Sequence, residues 1–243
     1  MNPHGALPAH YENLEDKPAF VKDLFDAGAE HYDPVVNWGF LGSGDSYRKW
    51  ALERHGLKPG MRLLDVACGT GLVSTAAAEI LGDESTITCL DPSDGMLKVA
   101  RRKLSQATFV QAGADDIPLP DSSFDFLTVG YALRHFGTLD RSFSEFHRVL
   151  KPGGTLLMLE ATKPAGKLGA ALFKLYFGRI YPLLTRLFTG SRDAQKMMVY
   201  FWETMDACVR PDTVLGTLQD AGFTDVRRDS KLRLFSEYVA TKP

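Results

Sequence analysis

The segment from Leu63 to Leu81 constrains the fold of this chain more than any other stretch. It reads as a short apolar strand, a loop with two glycines and the start of an apolar helix, LLDVACGTGLVSTAAAEIL. Gly69 and Gly71 allow a sharp turn and a close approach of a ligand to the backbone, and the following helix directs its first N–H groups at that ligand. A second predicted strand, Ile87–Leu90, is followed by Asp91, an acid suited to the hydroxyls of a ribose. The segment therefore predicts a nucleoside site at the edge of a doubly wound sheet.

The glycine loop differs from the two common phosphate-binding patterns. Ser74 stands where a dinucleotide-binding loop has its third glycine, and the loop lacks the Gly-Lys-Ser/Thr of a P-loop. An Asp-x-Ala-Cys-Gly-Thr-Gly loop with a later acid instead resembles the class I S-adenosylmethionine (SAM) methyltransferases. That resemblance implies SAM as cofactor and an α/β fold, a doubly wound, mostly parallel seven-stranded sheet with N-terminal helices and a helical lid insertion. The alternative is an ordinary strand–turn–helix without a ligand.

Further segments favour the ligand-binding interpretation. A predicted strand ends at Ala112, and an acidic loop follows where the methyltransferases that this chain resembles place an acid on the adenine amino group. We assign that contact to Asp115, with Asp116 as the alternative. A later apolar strand runs into Gly130, at the carboxyl edge where open α/β sheets bind ligands. The segment VLKPGG, which begins at Val149, is typical of a helix end and a strand start in this fold.

The resemblance to methyltransferases implies a set of cofactor-binding residues. They lie on the first strand and its loop, after the second strand, in the acidic loop and at the end of the fourth strand, which form one edge of such a sheet. The members of this set are Asp65, Ala67, Gly69, Thr70, Gly71, Asp91, Pro92, Met96, Gly113, Ala114, Asp115 and Gly130.

Composition and charge exclude several other classes of protein. The 243 residues suit one α/β domain, and a net charge of −2 without a basic cluster argues against nucleic acid as a partner. Three cysteines without paired spacing fit a reducing compartment, and no Cys/His cluster has zinc spacing, so no metal is expected. Without a signal peptide or a run of ~18–20 apolar residues, we expect a cytoplasmic protein with at most peripheral membrane contact.

We expect four parts within the single domain. Residues 17–57 form N-terminal helices, 58–160 the SAM-binding half, 161–212 a helical lid and 213–243 the C-terminal helix and strands. The first helix is predicted over Pro18–Tyr32.

The lid begins with an aromatic-rich segment whose only charges are basic. On a helical wheel these charges fall in an arc of roughly 140° at ~3.6 residues per turn. One interpretation is two core helices broken at Pro182. The other is a cover over an apolar substrate, with a basic stripe that contacts a membrane surface. The basic residues are Lys167, Lys174, Arg179 and Arg186.

Residues outside the SAM motifs narrow the resemblance. Over roughly residues 24 to 240, the chain resembles the quinone-biosynthesis C-methyltransferases, which act on demethylmenaquinol and on a ubiquinol precursor. It departs from the family pattern near the predicted site, where Gly113 replaces an Asn, Gly130 a Ser, and His135 the Asn of Leu-Arg-Asn. The matching segments include Phe25-Asp26, Tyr32-Asp33, Arg48-Lys49-Trp50, Leu133-Arg134, Leu159-Glu160, Lys163-Pro164 and Arg210-Pro211-Asp212.

This resemblance implies a phenolic acceptor whose ring carbon becomes a nucleophile once a hydroxyl loses its proton. A positioned base contributes ~10²–10⁴-fold to such a step. His135 is the candidate base because it titrates near neutrality, and Arg134 is the residue expected to stabilise the phenolate. Tyr131, near the strand end, is expected to shape the methyl site. The predicted walls of the acceptor pocket are Tyr32, Tyr200 and Trp202.

Each assignment has an alternative. His135 serves only packing or capping in one alternative, and Arg134 forms a structural ion pair with Asp140 or Glu145 in another. For Tyr32, Tyr200 and Trp202, the alternative is that each side chain only packs in the hydrophobic core. At the level of function, the alternatives are an O- or N-methyltransferase of another small molecule, and a SAM-binding regulator without methyl transfer. The expected partner is a small, hydrophobic aromatic acceptor.

Overall fold

The fold is built on one twisted sheet. The computed structural model describes residues 1–39, 44–162, 166–231 and 235–243. Within them seven strands pair in the order β3-β2-β1-β4-β5-β7-β6. The first five strands run parallel, and β7 is antiparallel to both of its neighbours. The strands are β1 (Leu63–Val66), β2 (Ile87–Leu90), β3 (Thr108–Val110), β4 (Phe124–Gly130), β5 (Leu150–Ala161), β6 (Thr224–Lys231) and β7 (Phe235–Thr241).

Helices cover both faces of this sheet, and a group of them stands over one edge. A 3₁₀ turn at Leu133–His135 follows β4, and a π-helical turn at Tyr176–Ile180 joins two helices of the insertion. The helices are α1 (Lys17–Gly39), α2 (Gly44–Arg54), α3 (Leu72–Leu81), α4 (Asp94–Lys103), α5 (Leu139–Val149), α6 (Lys167–Leu175), α7 (Tyr181–Thr189), α8 (Arg192–Ala207) and α9 (Pro211–Asp220).

The doubly wound, mostly parallel sheet predicted from the sequence is confirmed. All four side chains of β1 and all four of β2 are buried, because helices cover both faces of the parallel strands. The face that includes Leu64 packs with Phe143 of α5 and Leu218 of α9. The opposite face, which includes Leu63, packs with Ala77 of α3. The chain winds outward from β1 to β3 and then returns to β4, so the strand order reverses between β1 and β4.

Two element boundaries differ from the sequence-based expectation. Helix α1 continues past Tyr32 to Gly39 and contains Pro34. Its last turns are held by packing, since Val35 is buried and the Tyr181 hydroxyl donates to the Val35 carbonyl at 2.7 Å. The third strand ends at Val110 and not at Ala112.

The insertion changes its helical geometry before Pro182, and not at it. The π-helical turn contains Gly178, where an added Cβ would lie 3.1 Å from Trp202 Nε1. Pro182 falls in the first turn of α7, a position where its missing N–H costs little. The matching segment Lys163-Pro164 lies outside the described residues.

A third core cluster stands over the carboxyl edge of the parallel strands. It joins Tyr11 from the N-terminal segment, Leu24 of α1, Tyr181 of α7 and Met197 of α8. The N-terminal segment is tied down by main-chain bonds, one of which runs from the Val209 N–H to the Pro3 carbonyl at 2.8 Å. No helix in the described parts of the chain is long and apolar enough to cross a membrane.

Candidate cofactor and acceptor site

A cavity lies where the strand order reverses, between the sheet edge and helices α1 and α8. It encloses about 1050 Å³ of empty space including its mouth. A smaller cavity of about 340 Å³ shares five lining residues with it. The shared residues are Tyr32, Ala67, Gly69, Gly130 and Tyr131. Ligands of open α/β sheets bind in such crevices outside the carboxyl ends of the strands.

Asp91 presents a buried carboxylate to the larger cavity. Its Oδ2 accepts from the Gly69 N–H at 2.8 Å, and its Oδ1 accepts from the Ser93 N–H at 2.8 Å. Burial raises the pKa of Asp91 to about 6. A carboxylate offers about four lone-pair positions, so both oxygens retain capacity for the hydroxyls of a ribose. This placement fits the role expected for an acid after the second strand.

The acidic loop after β3 also reaches the larger cavity. Gly113, Ala114 and Asp115 line it, together with Pro92 and Met96 from the segment after β2. Asp116, the alternative to Asp115, is exposed. The structure therefore brings the preferred acid to the cavity beside Asp91 and leaves the other in solvent.

The smaller cavity carries opposite charges on its wall. Asp65 is fully buried, accepts from the Ser74 hydroxyl at 2.5 Å through Oδ2, and has no partner for Oδ1 among the described residues. Burial raises the pKa of Asp65 to about 7. Arg48 is buried on the same wall, with Asp45 as its ion-pair partner at 2.8 Å. This set fits the ammonium and carboxylate of an amino acid, which is the end of SAM that lies beyond its adenosine.

Arg48 was not among the site residues expected from the sequence. It was quoted only as part of the Arg-Lys-Trp match, on a helix that precedes the sheet by several residues. No local signal marks it, because its ion-pair partner Asp45 lies three residues away on the same helix, and its place on the cavity wall depends on how α2 packs against the sheet.

Asp26 and Asp33 connect α1 to the loops after β1 and β2, which carry predicted cofactor-binding residues. Asp33 contacts the Thr70 hydroxyl and the Lys103 ammonium, which also donates to the Thr70 carbonyl at 2.8 Å. Asp26 accepts from the Ser93 hydroxyl at 2.6 Å and from the Gly95 N–H at 2.7 Å. The spacing of seven residues places both acids on one helix face, which is the signal by which the sequence could have identified them.

Arg134 forms a buried ion pair, but with neither of the two acids expected. Its Nη1 lies 2.7 Å from Glu160 Oε2 at the end of β5. Asp140 instead contacts the N-terminal ammonium, and Glu145 pairs with Arg148 on its own helix. The reason is positional, since the 3₁₀ turn that carries Arg134 packs against the end of β5, and the Leu133 N–H donates to Glu160 Oε1 at 2.9 Å.

The Arg134 guanidinium also lies over an aromatic wall of the cavity. Its central carbon is 4.4 Å from the ring centroid of Phe201, and both residues line the larger cavity. Burial raises the pKa of Glu160, while the Arg134 charge opposes that shift. The pair thus supplies a fixed positive charge beside an apolar surface.

His135 follows Arg134 and lines the same cavity. Its ring is stacked on Tyr200 at 5.4 Å between centroids and meets Phe25 edge-on at 5.2 Å. Burial, helped by the charges of Arg134 and Lys17, holds the pKa of His135 well below its usual range, so the imidazole is neutral. Its Nδ1 is buried and has no hydrogen-bond partner among the residues that the structure describes.

Lys17 supports the turn that carries these two residues. Its buried ammonium donates to the carbonyls of Arg134 at 3.2 Å and Phe136 at 2.7 Å. Burial lowers the pKa of Lys17 to about 8. No local pattern marks Lys17 for this role, because its partners are more than a hundred residues away in sequence.

The structure separates the three aromatic residues expected to form the acceptor walls. Tyr32 lines both cavities. Tyr200 is fully buried behind His135, and Trp202 packs on Phe173, so neither is among the lining residues. The orientation of α8 about its own axis keeps Tyr200 and Trp202 out of the cavity wall. The residues that α8 turns toward the cavity are Met197, Met198 and Phe201.

Local packing explains one departure from the family pattern. A Cβ added at Gly130 would lie 2.6 Å from Val73 Cγ2, so Val73 leaves no room for the serine usual at this position. The next residue, Tyr131, has a left-handed backbone with φ of 60°, as does Ala67 with φ of 53°. Such conformations are costly for residues other than glycine and cluster at binding sites.

One group of potential metal ligands lies outside both cavities. His55, Asp229 and Glu237 place ligand atoms within 4.8 Å of one another. The buried Glu237 is already paired with Arg54 and accepts from the Tyr47 hydroxyl at 2.7 Å. The Arg54 guanidinium already neutralises the Glu237 carboxylate, as a metal cation would. We therefore interpret this group as a structural ion network.

Comparison with known proteins identifies the family of this chain. Residues 12–233 match the model of the ubiE/COQ5 methyltransferase family. The chain is 34% identical over 221 residues to a ubiquinone/menaquinone biosynthesis C-methyltransferase UbiE from Teredinibacter turnerae, with 88% of each protein covered. It is 34% identical over 224 residues to the UbiE of Shewanella oneidensis, covering 89% of this chain and 88% of that protein.

Solved structures share the fold. A SAM-dependent methyltransferase from Aquifex aeolicus superposes with a TM-score of 0.60 at 20% identity, over 93% of this chain and 98% of that one. The family match spans the residues on which the SAM and acceptor predictions rest, from α1 to the end of β6. The chain therefore belongs to the ubiE/COQ5 methyltransferase family and is a SAM-dependent methyltransferase.

Proposed function

We propose that this enzyme transfers a methyl group from SAM to a ring carbon of a reduced quinone or a closely related phenol. The observation that carries the proposal is a fixed cation, Arg134, and a neutral imidazole, His135, on the wall of an otherwise apolar cavity. Phe25, Met197 and Phe201 supply apolar walls suited to a lipid-like ring. The names of the bacterial relatives support the same acceptor class.

The cofactor has a place for each of its parts in this proposal. Asp91 accepts hydrogen bonds from the ribose hydroxyls, and Asp115 accepts one from the adenine amino group. Asp65 accepts from the ammonium of the amino-acid end, and Arg48 binds its carboxylate. When bound, SAM supplies a methyl group activated by a positively charged sulfonium. The remaining contacts come from the lining residues Ala67, Gly69, Thr70, Pro92, Met96, Gly113, Ala114 and Gly130. Gly71 lines neither cavity, and its backbone N–H donates to the Cys68 carbonyl, so it shapes the loop without contacting the cofactor.

Arg134 and His135 act on the acceptor oxygen. The His135 imidazole takes the proton of the phenolic hydroxyl, and the Arg134 guanidinium stabilises the negative charge left on the oxygen and ring. A neutral histidine with a lowered pKa is a weak base by itself. Burial is the main cause of the low pKa of His135, and it would raise the pKa of a bound phenol, whereas the charges of Arg134 and Lys17 lower the pKa of both groups. Tyr131 limits the space beside the ring.

A second candidate is methyl transfer to an oxygen or nitrogen of another small molecule. It is favoured by the same low pKa of His135, because an O- or N-acceptor needs no carbanion and so less help from a base. The replacement of the family's Asn by His135 also changes the acceptor side of the site.

The experiment uses methyl-labelled SAM and a short-chain 1,4-hydroquinone with one free ring position. We expect a carbon-methylated product, with the methyl position assigned by NMR. The dimethyl ether of the same hydroquinone is the chemical control, because it cannot form a phenolate and should remain unmethylated. A product methylated on oxygen would contradict carbon transfer and favour the second candidate.

The proposed acceptor class also indicates at which surface the enzyme meets its substrate. Quinones with polyprenyl tails reside in bilayers, so we propose that the enzyme meets its acceptor at a membrane surface without crossing it.

A further inference from the structure

The insertion presents an apolar face to solvent. Leucines recur at intervals of three or four residues along α6 and α7, which places them on one side of the helical segment. Their exposed fractions run from 47% to 75%, far above those of core leucines. We call this surface the outer face; it consists of Leu168, Leu172, Leu175, Leu183, Leu187 and Phe188.

The exposure is not caused by poor packing of these helices. The inner side of α7 and of the π-helical turn before it is buried through Phe177, Tyr181, Pro182 and Thr185. Helix α6 has no buried residue and packs on the third core cluster through the half-buried Phe173. The outer face is therefore the free side of a docked element. A continuous set of exposed large apolar side chains on a folded protein marks an interaction site.

The charges around the outer face have one sign. From Gly166 to Arg192 the chain carries five basic side chains and no acidic one, although the whole protein has a net charge of −2. Lys174 and Arg179 are exposed and have no ion-pair partner among the described residues. Apolar side chains flanked by unpaired basic groups are the pattern of a helix that lies in an anionic lipid interface.

A second copy of the chain fits this surface less well. In a symmetric dimer the same patch faces itself, so the basic groups of the two copies would lie close together. An anionic bilayer instead offers both an apolar layer for the leucines and negative headgroups for the lysine and arginine side chains.

The helical segment that carries the outer face contacts α8, which forms part of the cavity wall, through aromatic rings. Phe177 lies 6.2 Å from Phe201 between ring centroids, and Phe201 lines the cavity. Phe173 of α6 lies 6.2 Å from Trp202 of α8. A change in the position of α6 and α7 would therefore act directly on the cavity wall.

We infer that the outer face docks on the surface of an anionic bilayer, with its leucines inserted below the headgroups and its basic side chains on the phosphates. The delivery of a lipid-like acceptor to the cavity rests on the proposed function, whereas the docking itself does not.

The test is co-sedimentation with vesicles of phosphatidylcholine alone or mixed equally with phosphatidylglycerol. We expect the wild-type protein to bind the anionic vesicles and to bind phosphatidylcholine vesicles much more weakly. Each basic residue near an anionic surface contributes about fivefold to partitioning, so Lys174→Glu/Arg179→Glu should lose at least ~25-fold. Leu172→Ser/Leu187→Ser should lose at least about tenfold, since each leucine loses its burial in the bilayer.

The matched control is Lys58→Glu/Lys98→Glu, which changes the net charge equally at exposed sites away from the outer face and should keep most of the binding. Equal losses in the control and in Lys174→Glu/Arg179→Glu would overturn the inference. So would absence of wild-type binding, or a dimer in analytical ultracentrifugation that only the leucine variant breaks.

Methyl transfer separates this inference from the proposed function. The four substituted positions on and around the outer face lie outside the cavity lining, so turnover of a short-chain hydroquinone in solution should be unchanged in those variants. Turnover of a long-chain acceptor embedded in anionic vesicles should fall with binding. Vesicle binding without any quinol methylation would reject only the proposed function.

Discussion

At the scale of single residues, buried carboxyl groups line the cavities proposed to hold the cofactor. Asp65 and Asp91 are both buried carboxyls at the ends of neighbouring strands, and burial raises the pKa of each. Asp91 is neighboured by two backbone N–H donors, whereas Asp65 keeps one oxygen without a partner among the described residues. Buried polar atoms without a partner are rare in folded proteins, so the free Oδ1 supports the proposed contact between Asp65 and the ammonium of SAM.

The proposed contact between Arg48 and the carboxylate of SAM can be tested with two ligands, one with the amino-acid end and one without it. We expect Arg48→Met to weaken the affinity for S-adenosylhomocysteine about 10- to 100-fold, the usual range for a lost hydrogen bond to a charged group. Its affinity for 5′-methylthioadenosine, which lacks the amino-acid end, should hardly change. Asp91→Ala is the contrast, because it should weaken both ligands. Calorimetry that finds equal losses of the two ligands in Arg48→Met would contradict the assignment.

His135 can be examined with the residue that the family has at this position. If His135 is the base, His135→Asn and His135→Ala should both lower turnover by ~10²-fold while S-adenosylhomocysteine affinity stays near normal. If it only packs between Tyr200 and Phe25, the variants should lose melting temperature and keep turnover in the folded fraction. Steady-state assays combined with thermal unfolding distinguish the two. Near-normal turnover in a folded His135→Asn protein would rule out the base.

The raised pKa of Asp91 predicts a pH dependence with a definite sign. The pKa is about 6 in the folded protein against 3.8 when unperturbed, so the folded state binds the proton more tightly. The stabilisation from this group is fully present below about pH 4 and is lost as pH rises through 6. The unfolding free energy of the ligand-free wild type should therefore fall relative to Asp91→Asn over this range. Urea unfolding at pH 4, 5, 6 and 7 measures the difference, and a constant difference would refute the prediction.

At the scale of elements, one short turn gathers the acceptor chemistry. Leu133–His135 is held at one end by Glu160, which accepts from the Leu133 N–H, and at the other by Lys17, which donates to the Arg134 and Phe136 carbonyls. These anchors come from β5 and α1. Both the sheet and the N-terminal helix must be in place before Arg134 and His135 face the cavity, so the turn is a product of the folded domain.

The insertion is the element expected to move. Helix α6 has no buried residue, whereas α8 buries seven of its own, including Met197 and Tyr200. Amide hydrogens of α6 and α7 should therefore exchange faster than those of β1 in the free protein. Exchange should slow when S-adenosylhomocysteine and a hydroquinone are added together. Mass spectrometry of peptic fragments that shows α6 as protected as β1, with no ligand effect, would reject a lid.

At the scale of the whole molecule, the cofactor cavity joins two packed units. The sheet supplies Asp91 and Gly69 and the helical cluster supplies Tyr32 from α1, so a bound ligand contacts both. The two are already connected by Asp26 and Asp33, whose partners lie in the segments that follow β1 and β2. Ligand binding should thus stabilise the domain as one body.

At a hundredfold excess over Kd, S-adenosylhomocysteine should add about 2.7 kcal/mol to the folded state, equivalent to about 5–10 °C in melting temperature for a protein of this length. Asp91→Ala should remove most of the shift at the same ligand concentration. Differential scanning calorimetry provides the measurement, and two separate transitions of which only one responds to ligand would argue against a single cooperative unit.

Local sequence patterns were enough to predict the sheet, the cofactor and the family. Strands such as Leu63–Val66 are apolar on both faces, and the turn after β1 requires its glycines, so these features are encoded within a few neighbouring residues. The acid after β2 also follows from a local pattern, and the structure places Asp91 where the pattern predicts. The same is true of Asp115 in the acidic loop.

Only the tertiary structure decided which distant side chains meet. It paired Arg134 with Glu160, brought Arg48 to the cavity of Asp65, and turned Tyr200 away from the acceptor side. None of these outcomes has a local signature, because each depends on the rotation of a helix or turn against the sheet. If an α-helix turns about its axis by the angle between successive residues, about 100°, a side chain on the cavity wall moves into the hydrophobic core. The packing of the whole domain sets that angle, which neighbouring residues in the sequence do not specify.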